Sequence, residues 1–246
     1  MTDRASPTME ETMSEPAHEE ESANAQNSAE PLRPAENGGG PPDIAGEKEP
    51  VVTNGHGTIV VVDVVGSSRH VSNPTQVRIR RAMRKTVEAG FDTVGIKLPA
   101  CHLADRGDGV IVVIPAGESK RLLADLLPGA LVEALNAYNR TLLARERIQL
   151  RLSMHAGEVD FDEYGATGSA IIHACRLVDA EVFRKSLKSS TLLAVITSDW
   201  FFKDVVQNGD PVQLKAYRQL EVVNKETTTS AWVRLLRSPR GGQARG

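Results

Sequence analysis

At 246 residues with 40% hydrophobic side chains, the chain is large enough to bury a core without disulfide staples, and its two cysteines, Cys101 and Cys175, fit no metal-ligand spacing and read as reduced thiols. The net charge of −3 hides two opposed parts: residues 1–50 carry twelve acidic and three basic side chains, −9, which leaves +6 for the rest. No apolar run approaches the roughly 18 residues of a membrane span and no basic leader opens the chain, so the expectation is a soluble, cytoplasmic protein without a membrane partner.

Residues 1–57 are acidic, rich in Pro, Ser, Asn and Gly, and lack aromatics and apolar periodicity. Such a segment cannot bury enough surface to offset roughly 1–2 kcal/mol of ordering per residue, and it is read as a disordered tail. One domain follows over 58–237, with a short disordered tail over 238–246. Diffuse attraction between the −9 tail and the +6 domain is one expectation of this layout.

Thr58–Val64 is a β-branched run that reads as a buried central strand. Asn73-Pro74 opens a helix with Asn73 as N-cap, and Gly90 closes it. Its stripe is Ile79, Met83 and Val87, while Arg78, Arg81 and Lys85 form a solvated face. The domain is only mildly basic and poor in aromatics, which argues against a nucleic-acid partner. Cys101–Asp105 and Val110–Ile114 flank Arg106-Gly107-Asp108-Gly109 and predict a β-hairpin. A helix over Leu126–Arg145 is interrupted early by Pro128. Ile148–Met154 alternates as a strand, with Gln149, Arg151 and Ser153 outward, and Val159–Phe161 continues it past a turn. Gly168–Ala180 predicts a helix, Leu192–Ile196 a strand, Asp199–Val206 a short helix, and Leu214–Val223 and Thr229–Leu235 two final strands. The order predicts an α+β, ferredoxin-like sandwich with a mostly antiparallel sheet and helices on one face.

Two features carry chemistry. Asp63 ends the first strand before Val64-Val65-Gly66-Ser67, and Asp108 sits in the hairpin after Gly107. Two carboxylates at strand edges can share divalent cations, and glycine lets phosphate approach the backbone. His155-Ala156-Gly157-Glu158 and Ala174-Cys175-Arg176-Leu177 follow in order. His155 reads as a satisfied structural histidine, and Glu158 and Asp160 as solvated.

These four motifs in this order resemble the class III nucleotide (adenylyl/guanylyl) cyclase homology domain. The resemblance covers residues 58–180 by motif and the remainder more weakly. It implies Asp63 and Asp108 as ligands of Mg²⁺ or Mn²⁺, Gly66, Ser67 and Gly107 as phosphate-proximal backbone, and Arg176 as the cation that stabilises charge on the phosphate. It also implies a head-to-tail homodimer and a nucleoside triphosphate ligand. The chain departs from the pattern elsewhere. The family's purine-reading Lys falls on Ala104, the second purine reader on Gly165, the ribose-orienting Asn on Ile172, and the aromatic after the glycine turn on Ser67. Losing one preorganised donor typically costs 10²–10³ in rate. The resemblance therefore implies a degenerate domain that binds nucleotide or phosphate with metal as a regulatory module. The alternatives are a weak nucleotide cyclase and a ligand-free dimeric scaffold.

Overall fold

The computed structural model describes residues 53–66, 72–143 and 146–238. The acidic tail up to residue 52, Ser67 and the C-terminal tail beyond Ser238 lie outside the described residues. Fourteen elements follow in order: β1 (Thr53–Val64), α1 (Asn73–Thr93), β2 (His102–Asp105), β3 (Gly109–Pro115), α2 (Lys120–Arg140), β4 (Leu150–Asp162), β5 (Gly165–Thr167), α3 (Ser169–Asp179), α4 (Glu181–Ser186), β6 (Thr191–Ser198), α5 (Asp199–Asp204), α6 (Pro211–Leu214), β7 (Arg218–Asn224) and β8 (Thr227–Arg237).

The strands form one sheet in the order β2-β3-β1-β4-β6-β8-β7, with β5 attached to β4. Every pairing is antiparallel except β4 with β6. This is the mostly antiparallel α+β sandwich read from the sequence, with one correction: helices cover both faces. Val60, Val62 and Val64 pack with Ile79, Met83 and Phe91 of α1 and with Leu127 and Leu131 of α2. Ile59 and Val61 point the other way, against Ala170, Ala174 and Leu177 of α3. A strand whose alternate residues all need burial requires cover on both sides, which explains its unbroken β-branched run.

Several boundaries move for identifiable reasons. β1 starts at Thr53, inside the expected tail, because Thr53–Gly57 pairs with Phe161–Gly157. That partner lies about a hundred residues away, and Asn54-Gly55 reads locally as a turn. Ser72 rather than Asn73 is the N-cap of α1. Gly90 does not end that helix; a Cβ there would lie 2.6 Å from Leu131 Cδ2, so its absence lets α1 and α2 cross closely. Gly95, with φ +80°, supplies the left-handed residue after the helix. α2 begins at Lys120, where Ser119 Oγ accepts the Leu122 N–H at 3.2 Å, and continues through a buried Pro128. Burial of Leu123, Leu127 and Leu131 around it offsets the missing backbone bond. β4 is a single strand of 13 residues, with no turn before Val159. Pro211–Leu214 is a helical turn capped by Asp210, which delays β7 to Arg218.

Candidate functional site

β4 lies in register with β1, pairing Asp63 with Arg151, Val61 with Ser153, Ile59 with His155 and Gly57 with Gly157. Arg151, Ser153, His155 and Gly157 therefore share the face that α3 covers. The outward side read from the alternation is roofed by a helix. Gly157 permits that roof: a Cβ there would stand 2.8 Å from the Ala170 Cβ. Ser153 Oγ donates to the Ala174 carbonyl at 2.7 Å, a buried bond that ties the roof to the floor.

One end of this strip is charged. Asp63, with 9% of its side chain exposed, pairs with Arg151, with 12% exposed. Asp63 lies opposite Gly109 in the β1–β3 register, and a Cβ on Gly109 would stand 2.6 Å from the Val62 carbonyl oxygen. Only glycine lets the hairpin approach this closely. Asp108 is the preceding residue, and its carbonyl accepts the Val64 N–H at 3.2 Å. Asp63 and Asp108 thus border the same cavity, of about 550 Å³. Burial pushes the Asp63 pKa above its ordinary value against the pull of Arg151, and the nearby charge of Asp108 adds to the rise.

The resemblance did not single out the other charged residues of this cavity. Arg106 enters from the hairpin and donates to Asp179 at the end of α3 at 2.9 Å. Glu181, Arg184 and Lys185 of α4 complete the lining. Four acidic groups thus face four basic ones, a nearly self-neutral pocket. Arg151 was legible in principle as a cation between two buried leucines, in a strand able to face Asp63. α4 carries no comparable signal in its six residues.

Gly66 has φ +72° and lines the cavity directly after β1. Gly107 has φ +81°, but its N–H is engaged by Asp105 Oδ1 at 2.6 Å. That bond, with Arg84 and Arg80, holds the Asp105 pKa down at about 2. Arg176 is not brought to the cavity. One helical step from Cys175 turns it toward the β7–β8 turn, where it pairs with Glu226 and donates to Thr227 Oγ1 at 2.8 Å. Ala104 lies on β2, Gly165 in β5 beside His102, and Ile172 is half-exposed on α3.

The other end of the strip stays neutral. His155 Nδ1 lies 2.8 Å from Ser198 Oγ, its ring is 4.7 Å from that of His173, and Trp200 meets it edge-on. Burial lowers its pKa to about 4, with contributions from His173 and His56. This is a satisfied structural histidine, as its sequence position suggested.

The donor set fits a hard divalent cation in one specific sense. Two carboxylates border the cavity, and a guanidinium already stands as a cation beside Asp63. Among the described residues no group of three or more His, Cys, Asp or Glu side chains forms a metal cage. Mg²⁺ needs none: it is commonly held by one or two carboxylates with the remaining oxygens from water and phosphates.

No protein-family model and no curated protein matches the sequence. Solved structures do. An adenylate/guanylate cyclase/hydrolase from Silicibacter pomeroyi is similar at 17% identity and TM-score 0.56, over 75% of this chain and 99% of that one. The adenylyl cyclase CyaB from P. aeruginosa is similar at 11% identity and TM-score 0.52, over 77% and 97%. The guanylate cyclase domain of RhGC from Catenaria anguillulae, solved in complex with GTP, is similar at 14% identity and TM-score 0.50, over 76% and 100%. The chain therefore has the fold of class III adenylyl/guanylyl cyclase catalytic domains. Among its described residues no helix is long and apolar enough to cross a membrane.

Proposed function

We propose that this is a cyclase-type domain that keeps the phosphate end of the nucleotide site and has lost the end that reads ribose and base, and that it works as a nucleotide- or phosphate-binding regulatory module. The observation that carries the reading is the convergence of Asp63 and Asp108, from two separate strand ends, on one cavity with Arg106 and Arg151. Asp63 and Asp108 would hold Mg²⁺ or Mn²⁺, which would supply charge neutralisation to a bound polyphosphate. Arg151 and Arg106 orient the phosphate oxygens through paired N–H donors, and Gly66 leaves room for them beside the backbone. Ala104, Gly165 and Ile172 offer no side-chain hydrogen bond to a base or ribose, so purines are poorly distinguished. Arg176 serves this reading from a second copy in a homodimer, after release from Glu226 and Thr227.

Calorimetry with non-hydrolysable ATP and GTP analogues in Mg²⁺ tests it. Binding of both with similar affinity is expected, weakened about tenfold or more by Arg106→Gln; no heat with either analogue overturns the reading in favour of a ligand-free scaffold. Retention of both metal carboxylates favours a second reading, a slow nucleotide cyclase. Incubation with each NTP and Mn²⁺, followed by mass spectrometry, decides it. A cyclic product that disappears in Asp108→Ala, at an exposed position, with the melting temperature unchanged, makes the chain an enzyme.

A further inference from the structure

Behind the Val65–Gly66 turn lies a second cavity of about 700 Å³, formed by the end of α2, the start of β4, the Ser189–Thr191 turn and the end of β8. Val65 borders both cavities. Their electrostatics differ. The first sets four carboxylates against four cations. The second is lined by Arg147 and Arg237 with no carboxylate among the described lining residues. Arg147 spends only its Nε, on the Leu142 carbonyl at a long 3.4 Å, and Arg237 has no ion pair among the described residues. Two guanidinium groups without a carboxylate partner border one concave surface, and a multivalent oxyanion bound there would be neutralised by both.

The Ser189–Thr191 turn lines the same cavity and can donate. Gln149 Nε2 holds it from below, donating to the Ser189 carbonyl at 3.1 Å and the Thr191 carbonyl at 2.6 Å. Lys188 and Thr191 close it: the Thr191 N–H donates to the Lys188 carbonyl at 2.9 Å, and the Lys188 N–H to Thr191 Oγ1 at 3.2 Å. The hydroxyls of Ser189 and Ser190 are left without a hydrogen bond among the described residues. Two hydroxyl donors on a fixed turn and two planar guanidinium forks lining the same cavity suit the oxygens of a phosphate group.

We propose that this cavity is a second, metal-independent binding site for a phosphate-class oxyanion, held by Arg147, Arg237, Ser189 and Ser190. It stands independently of the nucleotide reading of the first cavity.

The test is calorimetry of the full chain with inorganic pyrophosphate, inorganic phosphate and AMP, all in EDTA, so that no metal contributes. Pyrophosphate binding is expected, at least tenfold weaker in Arg147→Gln and in Arg237→Gln, and lost in the double variant. Both arginines are exposed, so unchanged melting temperatures are expected to accompany the loss. AMP binding as tightly as phosphate identifies a phosphate monoester as the occupant class; phosphate or pyrophosphate alone identifies the free anion. In ¹H–¹⁵N spectra the amides of Gln149, Ser189, Ser190 and Thr191 should move on titration. Undiminished heat in the double variant, shifts centred on Arg106 instead, or no binding of any of the three anions overturns the proposal.

Discussion

The two ends of the β4 strip beneath α3 solve the same problem in opposite ways. At one end Arg151 is buried as an ion and neutralised by Asp63. At the other His155 is buried neutral, satisfied by Ser198 and kept from protonation by its surroundings. The strand, the face and the covering helix are common to both; what differs is whether a second charge arrives across the strand pair. The difference teaches that a side chain beneath α3 is held charged where a counter-ion stands across the strand pair and neutral where an apolar residue does. Ile59 faces His155, whereas Asp63 faces Arg151.

The largest effect should come from breaking the charged end. Arg151→Met leaves Asp63 buried without its counter-ion and should cost about 3–5 kcal/mol in urea denaturation. Converting both partners, with Asp63→Val added, should recover most of that loss, since replacing a buried pair by apolar groups is often neutral. If the double variant is no better than the single one, partner pairing is not what governs this end.

The neutral end should respond to pH instead. His155 titrates near 4 in the folded protein and near 6.5 when exposed, so the unfolded chain binds more protons between these values. Stability is then complete above about pH 6.5 and falls by roughly 2–3 kcal/mol as pH drops toward 4. His173, lowered chiefly by burial, contributes in the same direction. His155→Gln should flatten this slope, and an unchanged pH dependence in denaturation midpoints would show that the protonation penalty lies elsewhere. Smaller still, Gly157→Ala pushes a methyl against Ala170 and should cost roughly 1–2 kcal/mol by lifting α3 from its floor. Because both ends share that floor, the charged and neutral regions should loosen together, which hydrogen exchange at Ser153 and His155 can read.

Much of this was legible in the chain itself. The β-branched run of β1, the Gly107-Asp108-Gly109 hairpin and the apolar stripe of α3 predicted their elements, and the order of motifs predicted the fold. The element order predicts helices on one face, whereas the unbroken apolar run of β1 requires the cover on both faces that the structure has. Alternation places Arg151 on the outward side of β4, but it separates two faces without saying which of them is roofed. Gly90 looked like a helix end because its function is a contact with Leu131, forty-one residues later. Arg106, Asp179 and α4 reach the cavity only through tertiary placement. No local pattern in Glu181–Ser186 announces it.

β1 also dictates a schedule for biosynthesis. Its neighbours β3 and β4 end at Pro115 and Asp162, so a ribosome must add about a hundred residues after β1 before the second flank is available. At roughly 5–20 residues per second that interval lasts on the order of five to twenty seconds. Throughout it, the Ile-Val-Val-Val segment of β1 keeps at least one edge unpaired, the state in which a strand is most prone to pair with another chain.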